Sequence, residues 1–174
     1  TDRHYELDAI AFATGFDAMT GAMREIDIRV NGGPTLDEQW EAGPRTYLGV
    51  MVAGLPNLFM ITGPQSPGVK SQMILSIEWH VDWIANCLQY MKDKQFNRIE
   101  ATLDAQENWV KHVKEVADST LYPLANSWYM GANIPGKPRL FMPYIGGVGV
   151  YREICEEIRI YNSSFCISCY CCYF

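Results

Sequence analysis

The sequence contains no apolar run of the ~18–20 residues that a membrane-spanning helix requires. Its longest candidate, residues 48–61, is broken by Gly49, Gly54, Pro56 and Asn57. Basic residues are not in excess: 14 Lys and Arg stand against 20 Asp and Glu, a net charge of −6. That balance argues against a broad basic face and against nucleic acid as a partner. The start, Thr1-Asp2-Arg3-His4, has neither an initiator Met nor the apolar segment of a secretory leader. The chain is therefore expected to be entered partway through a longer protein, and to work in the cytoplasm without a membrane. There is no G-x-S-x-G and no Walker motif. No carboxylate pair is more specific than the solvated faces of amphipathic helices. What is present is 174 residues, 48% apolar and 20% charged. That suits one globular domain with a sizeable core and is too short for two full nucleotide-binding domains.

Cysteine is scarce except at one end. Cys87 and Cys155 are isolated and read as small apolar residues, buried or half-buried. The other four, Cys166, Cys169, Cys171 and Cys172, crowd the last nine residues. Cys166 and Cys169 have zinc or redox spacing. A zinc site needs a second ligand pair at a workable separation, which adjacent Cys171 and Cys172 supply poorly, and no His lies near. The expectation is an aberrant tail over 161–174 with no metal.

Periodicity organises the rest. Residues 6–14 (ELDAIAFAT) form a continuous apolar run stopped by Gly15, which predicts a buried strand. Residues 26–30 alternate and predict a half-exposed strand, and residues 58–62 (LFMIT) predict another buried one. Val69, Met73, Ile77, Val81, Ile84, Leu88 and Met91 form one helical stripe, with Ser66 and Pro67 as N-cap and N1. Leu103, Gln106, Val110, Val113 and Ala117 form a second, capped by Thr102 or Asn97. The short polar link over 92–98 predicts an antiparallel helical pair. Residues 127–148 are rich in Gly, Pro and aromatics and show no period, the mark of a functional or partner-ordered loop. Residues 151–160 predict a last short helix.

Three segments carry possible chemistry. In residues 62–68 (TGPQSPG) an apolar run enters a Gly/Pro turn ahead of a long helix, where free N–H groups and the helix dipole favour negative charge. Residues 8–16 (DAIAFATGF) end a strand in Ala-Thr-Gly, at the edge where open α/β sheets bind ligands. In the loop 127–137, Trp128 fits no amphipathic pattern and offers a flat face and one N–H donor, suited to a sugar or nucleotide. The run from Gly146 to Gly149 lacks the third Gly of a dinucleotide loop, since Arg152 stands there, so it reads as a helix entry. His4, His80 and His112 have no partner in sequence and read as structural or surface residues.

Taken in order, DAIAFATGF, GPRTYLGV, PNLFMITGPQSP, SIEWHVDWI, SWYMGANIPGKPRLFM and YIGG strongly resemble the C-terminal part of Baeyer–Villiger monooxygenases. The likeness runs over residues 5–159. The resemblance implies an α/β fold, an incomplete Rossmann-like FAD-binding domain with a C-terminal antiparallel helical pair and a long ordered loop. It implies three parts: 1–68 as strands of the FAD and NADPH domains, 69–160 as the helical part with the NADP and substrate loop, and 161–174 as the tail. It implies FAD and NADPH as cofactors, a ketone and O2 as substrates, an ester or lactone as product, and a C4a-peroxyflavin on the way. The flavin carries the hard chemistry and the protein positions it.

By the same resemblance, Ala13, Thr14 and Gly15 match the segment joining the two nucleotide-binding regions. Gly63, Pro64, Ser66 and Pro67 match the turn that approaches the flavin ring. Gly68, Val69, Lys70 and Met73 match residues lining the substrate pocket, and Met142 matches a pocket residue on the returning segment. Trp128 matches the indole that reaches the NADP ribose. Lys70 departs from the apolar residue expected at its place. The FAD fingerprint, the Baeyer–Villiger fingerprint and the active-site Arg lie upstream in the family, so no catalytic side chain is assigned here. The missing N-terminal part is the expected partner, and the fragment alone is expected to be inactive. Two alternatives stay open: a flavin-containing monooxygenase acting on N or S, and a non-enzymatic helical module that binds a partner or metal through its helices and tail.

Overall fold

In this computed structural model residues 3–68, 71–161 and 165–168 are described, with backbone alone for 159–161 and 165–168. Gly21–Arg24 (α1) and Leu36–Gln39 (α2) are single helical turns. α2 forms because Thr35 and Glu38 cap it reciprocally: the Glu38 N–H donates to Thr35 Oγ1 at 3.0 Å and the Thr35 N–H to Glu38 Oε2 at 2.6 Å. Met73–Asp93 (α3) and Leu103–Asp118 (α4) flank a short strand, Arg98–Ala101 (β1). Val148–Tyr161 (α5) follows the long loop, and Phe165–Ser168 (β2) pairs antiparallel with β1, Arg98 opposite Ser168. On the other side of β1, Asn57 acts as a strand mate. Its N–H donates to the Ile99 carbonyl at 2.9 Å and its Oδ1 accepts from the Ile99 N–H at 3.0 Å.

Several expectations are corrected. Residues 6–14 form no strand; they are irregular and exposed, with Phe12 84% accessible. A strand needs an edge to pair with, and no described segment offers one there. Residues 26–30 and 58–62 are irregular as well, held by isolated bonds such as Met60 N–H to the Val50 carbonyl at 2.7 Å. The one sheet among the described residues is β1 with β2. The polar link between the helices therefore contains a strand, and four residues of the tail pair with it. The remaining tail cysteines, Cys169, Cys171 and Cys172, lie outside the described residues.

The long helix also starts later than expected. Ser66 and Pro67 do not cap it; Gln72 is the N-cap, without a side-chain cap bond. Its buried face keeps only the end of the predicted stripe, Met91 with half-buried Ile84, and otherwise consists of residues outside it. Met73, Ile77, Val81 and Leu88 are exposed, while Ser76, His80, Trp83 and Met91 are buried. Aromatic rings bury more area than branched aliphatics, and His80 finds partners for both ring nitrogens, so that face turns inward. α4 follows its pattern better. Thr102 caps it, accepting from the Ala105 N–H at 3.2 Å, and Gln106, Val113 and Ala117 are buried. α3 and α4 meet through α5: Tyr151 lies 5.4 Å from the Trp79 ring and 6.0 Å from the Trp109 ring, centre to centre. No helix is long and apolar enough to cross a membrane among the described residues.

Candidate functional site

The turn over 62–68 is built from strained backbone held by buried hydrogen bonds. Thr62 and Gln65 both adopt left-handed conformations, φ 52° and 69°, costly for residues with a Cβ and rare for a β-branched one. Thr62 is held by its N–H, which donates to His80 Nδ1 at 2.9 Å. Gln65 is held from every side. Its N–H donates to the Met142 carbonyl at 2.6 Å, its carbonyl accepts from Trp109 Nε1 at 3.2 Å, and its Nε2 donates to the Pro44 carbonyl at 3.2 Å. Its Oε1 accepts from the Thr46 N–H at 2.8 Å. Gly49 lets the GPRTYLGV segment lie directly on the turn. A Cβ there would fall 2.7 Å from the Ser66 Cα, and φ is +69°. The far end is pinned by the Tyr144 N–H, which donates to the Ser66 carbonyl at 2.8 Å.

Above this turn opens a cavity of about 470 Å³, within the range of small-molecule sites. Ser66, Pro67, Gly68 and Met73 form one wall and Trp128 with Tyr129 another. Ala18, Met19, Thr62, Ser71 and Pro143 complete the lining. Trp128 stacks on Tyr129 with ring centres 4.0 Å apart. It stays 43% exposed, and its indole N–H has no acceptor among the described residues. Among the described residues the lining holds no carboxylate, imidazole, amine or thiol. These residues can bind, orient and exclude water.

The structure brings Ser66, Pro67, Gly68, Met73 and Trp128 together around one cavity. Gly63 and Pro64 are buried in the turn, outside the lining. Met142 is buried and also outside it, beside the lining residue Pro143. Ala13, Thr14 and Gly15 are exposed and do not reach the wall. Val69 and Lys70 lie outside the described residues. Sequence reasoning missed Gln65, Thr46 and His80, which shape the turn. A lone Gln between Pro64 and Ser66 has no periodic signature, and His80 is legible only once its helix face is known.

Burial sets the ionisation of the groups behind the cavity. His80 is fully enclosed, which lowers its pKa to about 4 and keeps it neutral. Burial raises Cys155 to about 12 and Cys87 to about 11, so both stay thiols. No metal-holding group of His, Cys, Asp or Glu exists among the described residues.

In sequence and in fold the chain is similar to one class of proteins, monooxygenases whose structures hold FAD and NADP. The chain superposes on the crystal structure of cyclohexanone monooxygenase from Rhodococcus sp. Phi1 bound to NADP+ with a TM-score of 0.90 and 37% identity, over 95% of this chain and 31% of that one. It is 43% identical over 155 residues to a Baeyer–Villiger monooxygenase of Pseudooceanicola batsensis, covering 89% of this chain and 28% of the relative. It is 39% identical over 154 residues to the phenazine N-monooxygenase PhzNO1 of Lysobacter antibioticus, covering 88% and 28%. No family model matches. The chain is homologous to Baeyer–Villiger monooxygenases, and it spans less than a third of the length of these relatives.

Proposed function

We propose that the chain is the C-terminal part of an FAD- and NADPH-dependent Baeyer–Villiger monooxygenase. The reaction converts a ketone, NADPH, a proton and O2 into an ester or lactone, NADP+ and water. The observation that carries this reading is the convergence of the 66–68 turn, Met73 and an indole with a spare N–H donor on one cavity.

The residues present fit the cofactors. The Trp128 N–H is a free donor for a ribose hydroxyl. α3 begins at the wall, where Met73 is a lining residue; its first-turn N–H groups have no partner within the helix and favour a negatively charged ring edge. Bound FAD and NADPH supply the electrons and the oxygen insertion. This chain's residues do the positioning. The Ser66 N–H is spent on the Gly63 carbonyl at 3.1 Å and the Gln65 N–H on Met142, so the turn meets a ring by shape. Met19, Met73 and Pro143 keep that space apolar and exclude water. The remaining part of the enzyme is the partner that covers Phe12, Ile74, Ile77 and Val81, which lie exposed here.

The test is made on the protein translated from the reading frame that contains this chain. It should bind flavin, consume NADPH and O2, and turn a cyclic ketone into a lactone. A protein without flavin overturns the reading. Oxidation of an amine or thioether without any lactone favours a second reading, an N- or S-oxidising enzyme, which the likeness to a phenazine N-monooxygenase supports.

A further inference from the structure

One buried ammonium has no place in the cavity. The Lys137 side chain is only 5% exposed, a state lysine adopts when paired. Its Nζ donates to Asp17 Oδ1 at 2.5 Å and to Thr20 Oγ1 at 2.8 Å. The Thr20 hydroxyl donates to Asp17 Oδ2 at 2.6 Å, which closes the triad. A second tie lies beside it: Asn133 Nδ2 donates to the Phe16 carbonyl at 3.0 Å. These bonds span 117 to 120 positions in the chain.

The loop that carries Trp128 has no other polar tie to a distant segment among the described residues. Its remaining polar bonds are internal, such as Ala132 N–H to the Ser127 carbonyl at 3.1 Å, or run to its own continuation, such as Met142 N–H to the Tyr129 carbonyl at 3.0 Å. The lysine stem is mechanically linked to the indole. Gly131 ends the 3₁₀ turn Trp128–Met130 in a left-handed conformation, its N–H donating to the Trp128 carbonyl at 3.0 Å. A Cβ on Gly131 would stand 3.1 Å from Lys137 Cδ, so the missing side chain makes room for the stem. The other side of the clamp is the wall itself, since Ala18 and Met19 follow Asp17 into the lining.

We infer that Asp17 and Lys137 are positioning residues: their ion pair clamps the 127–137 loop onto the 16–20 segment and holds the Trp128 indole at the cavity wall. Its benefit to a bound dinucleotide rests on the function proposed above; the clamp itself does not. The pair is partly enclosed, so its charge-assisted bonds are worth more than those of an exposed pair.

The test uses the full protein translated from the reading frame that contains this chain, and its readouts need no bound cofactor. Iodide quenching of Trp128 is read as the difference between each protein and the same protein carrying Trp128→Phe. Hydrogen exchange is followed over residues 126–138. Lys137→Met and Asp17→Asn should each speed exchange in that loop about tenfold and increase quenching, with α4 unchanged. Lys137→Arg should restore both signals. Unchanged exchange and quenching in the two single variants overturn the clamp. Loosening that spreads into α4 and is not restored by Lys137→Arg also overturns it, because Lys137 would then serve the fold and not the loop. A clamp that holds in a protein without monooxygenase activity sinks only the functional reading.

Discussion

His80 and Tyr151 share a buried hydrogen bond of 2.8 Å across 71 positions of chain. The tautomer follows from the neighbours. Nδ1 accepts from the Thr62 N–H, so Nε2 carries the proton and donates to the Tyr151 oxygen, which in turn donates to the Leu48 carbonyl at 2.7 Å. Two left-handed residues, Leu48 and Thr62, are thereby held by one relay. Tyr151→Phe leaves a buried donor and a buried acceptor unpaired and should cost about 2 kcal/mol. His80→Phe should cost at least as much, and the double variant should cost less than the sum. Urea unfolding of the four proteins measures this; strict additivity would mean the relay does not act as a unit.

The same imidazole predicts an acid-sensitive stability. Burial lowers the His80 pKa from 6.5 to about 4. The unfolded chain therefore takes up this proton at a higher pH than the folded one. Its contribution is fully present above pH 6.5 and is lost as pH falls toward about 4. The loss amounts to roughly 3 kcal/mol across that window. Urea midpoints between pH 7 and pH 4 should fall in the parent, and should fall less in a His80→Gln protein.

Gly49 predicts a different failure. Its φ of +69° and its contact with the Ser66 backbone leave no room for a methyl group. Gly136 also has a positive φ, +77°, but nothing lies within 4 Å of its would-be Cβ. Gly49→Ala should therefore cost about 4 kcal/mol or more, and Gly136→Ala about 1 kcal/mol. Thermal melts of the two variants compare a clash plus strain with strain alone.

Helix existence was legible from spacing, and helix orientation was not. Residues 73–91 have the period of a helix, but Ile77 and Val81 face outward because His80 and Trp83 supply better inward partners. Strand prediction failed for a related reason. Residues 6–14 have strand composition, but a strand exists only as half of a pair, and the composition of one segment says nothing about its neighbour. At the site, Trp128 and the 66–68 turn were legible because Gly, Pro and an indole outside any stripe are local signals. Gln65 and Lys137 were not, because their roles lie in bonds to Thr46 and Asp17, far away in sequence.

Gln65 yields the sharpest test of how the turn is held. Its amide nitrogen must donate to the Pro44 carbonyl at 3.2 Å while its oxygen accepts from the Thr46 N–H at 2.8 Å. Gln65→Leu keeps the volume and removes both bonds, leaving Thr46 N–H and Pro44 C=O buried and unpaired, which should cost about 3 kcal/mol. Gln65→Glu keeps the acceptor and loses the donor whenever it is ionised. A carboxylate buried there and facing a carbonyl has its pKa raised above the unfolded value of about 4.3. The stability of this variant is then fully present below about 4.3 and is lost as pH rises through the raised folded value. Subtracting the parent's own pH profile removes the His80 contribution, which runs in the opposite direction. The difference between Gln65→Glu and parent should widen from pH 4 to pH 8, while that between Gln65→Leu and parent stays flat. A flat difference for Gln65→Glu as well would mean that the carboxylate meets no penalty there and that the Pro44 bond contributes nothing.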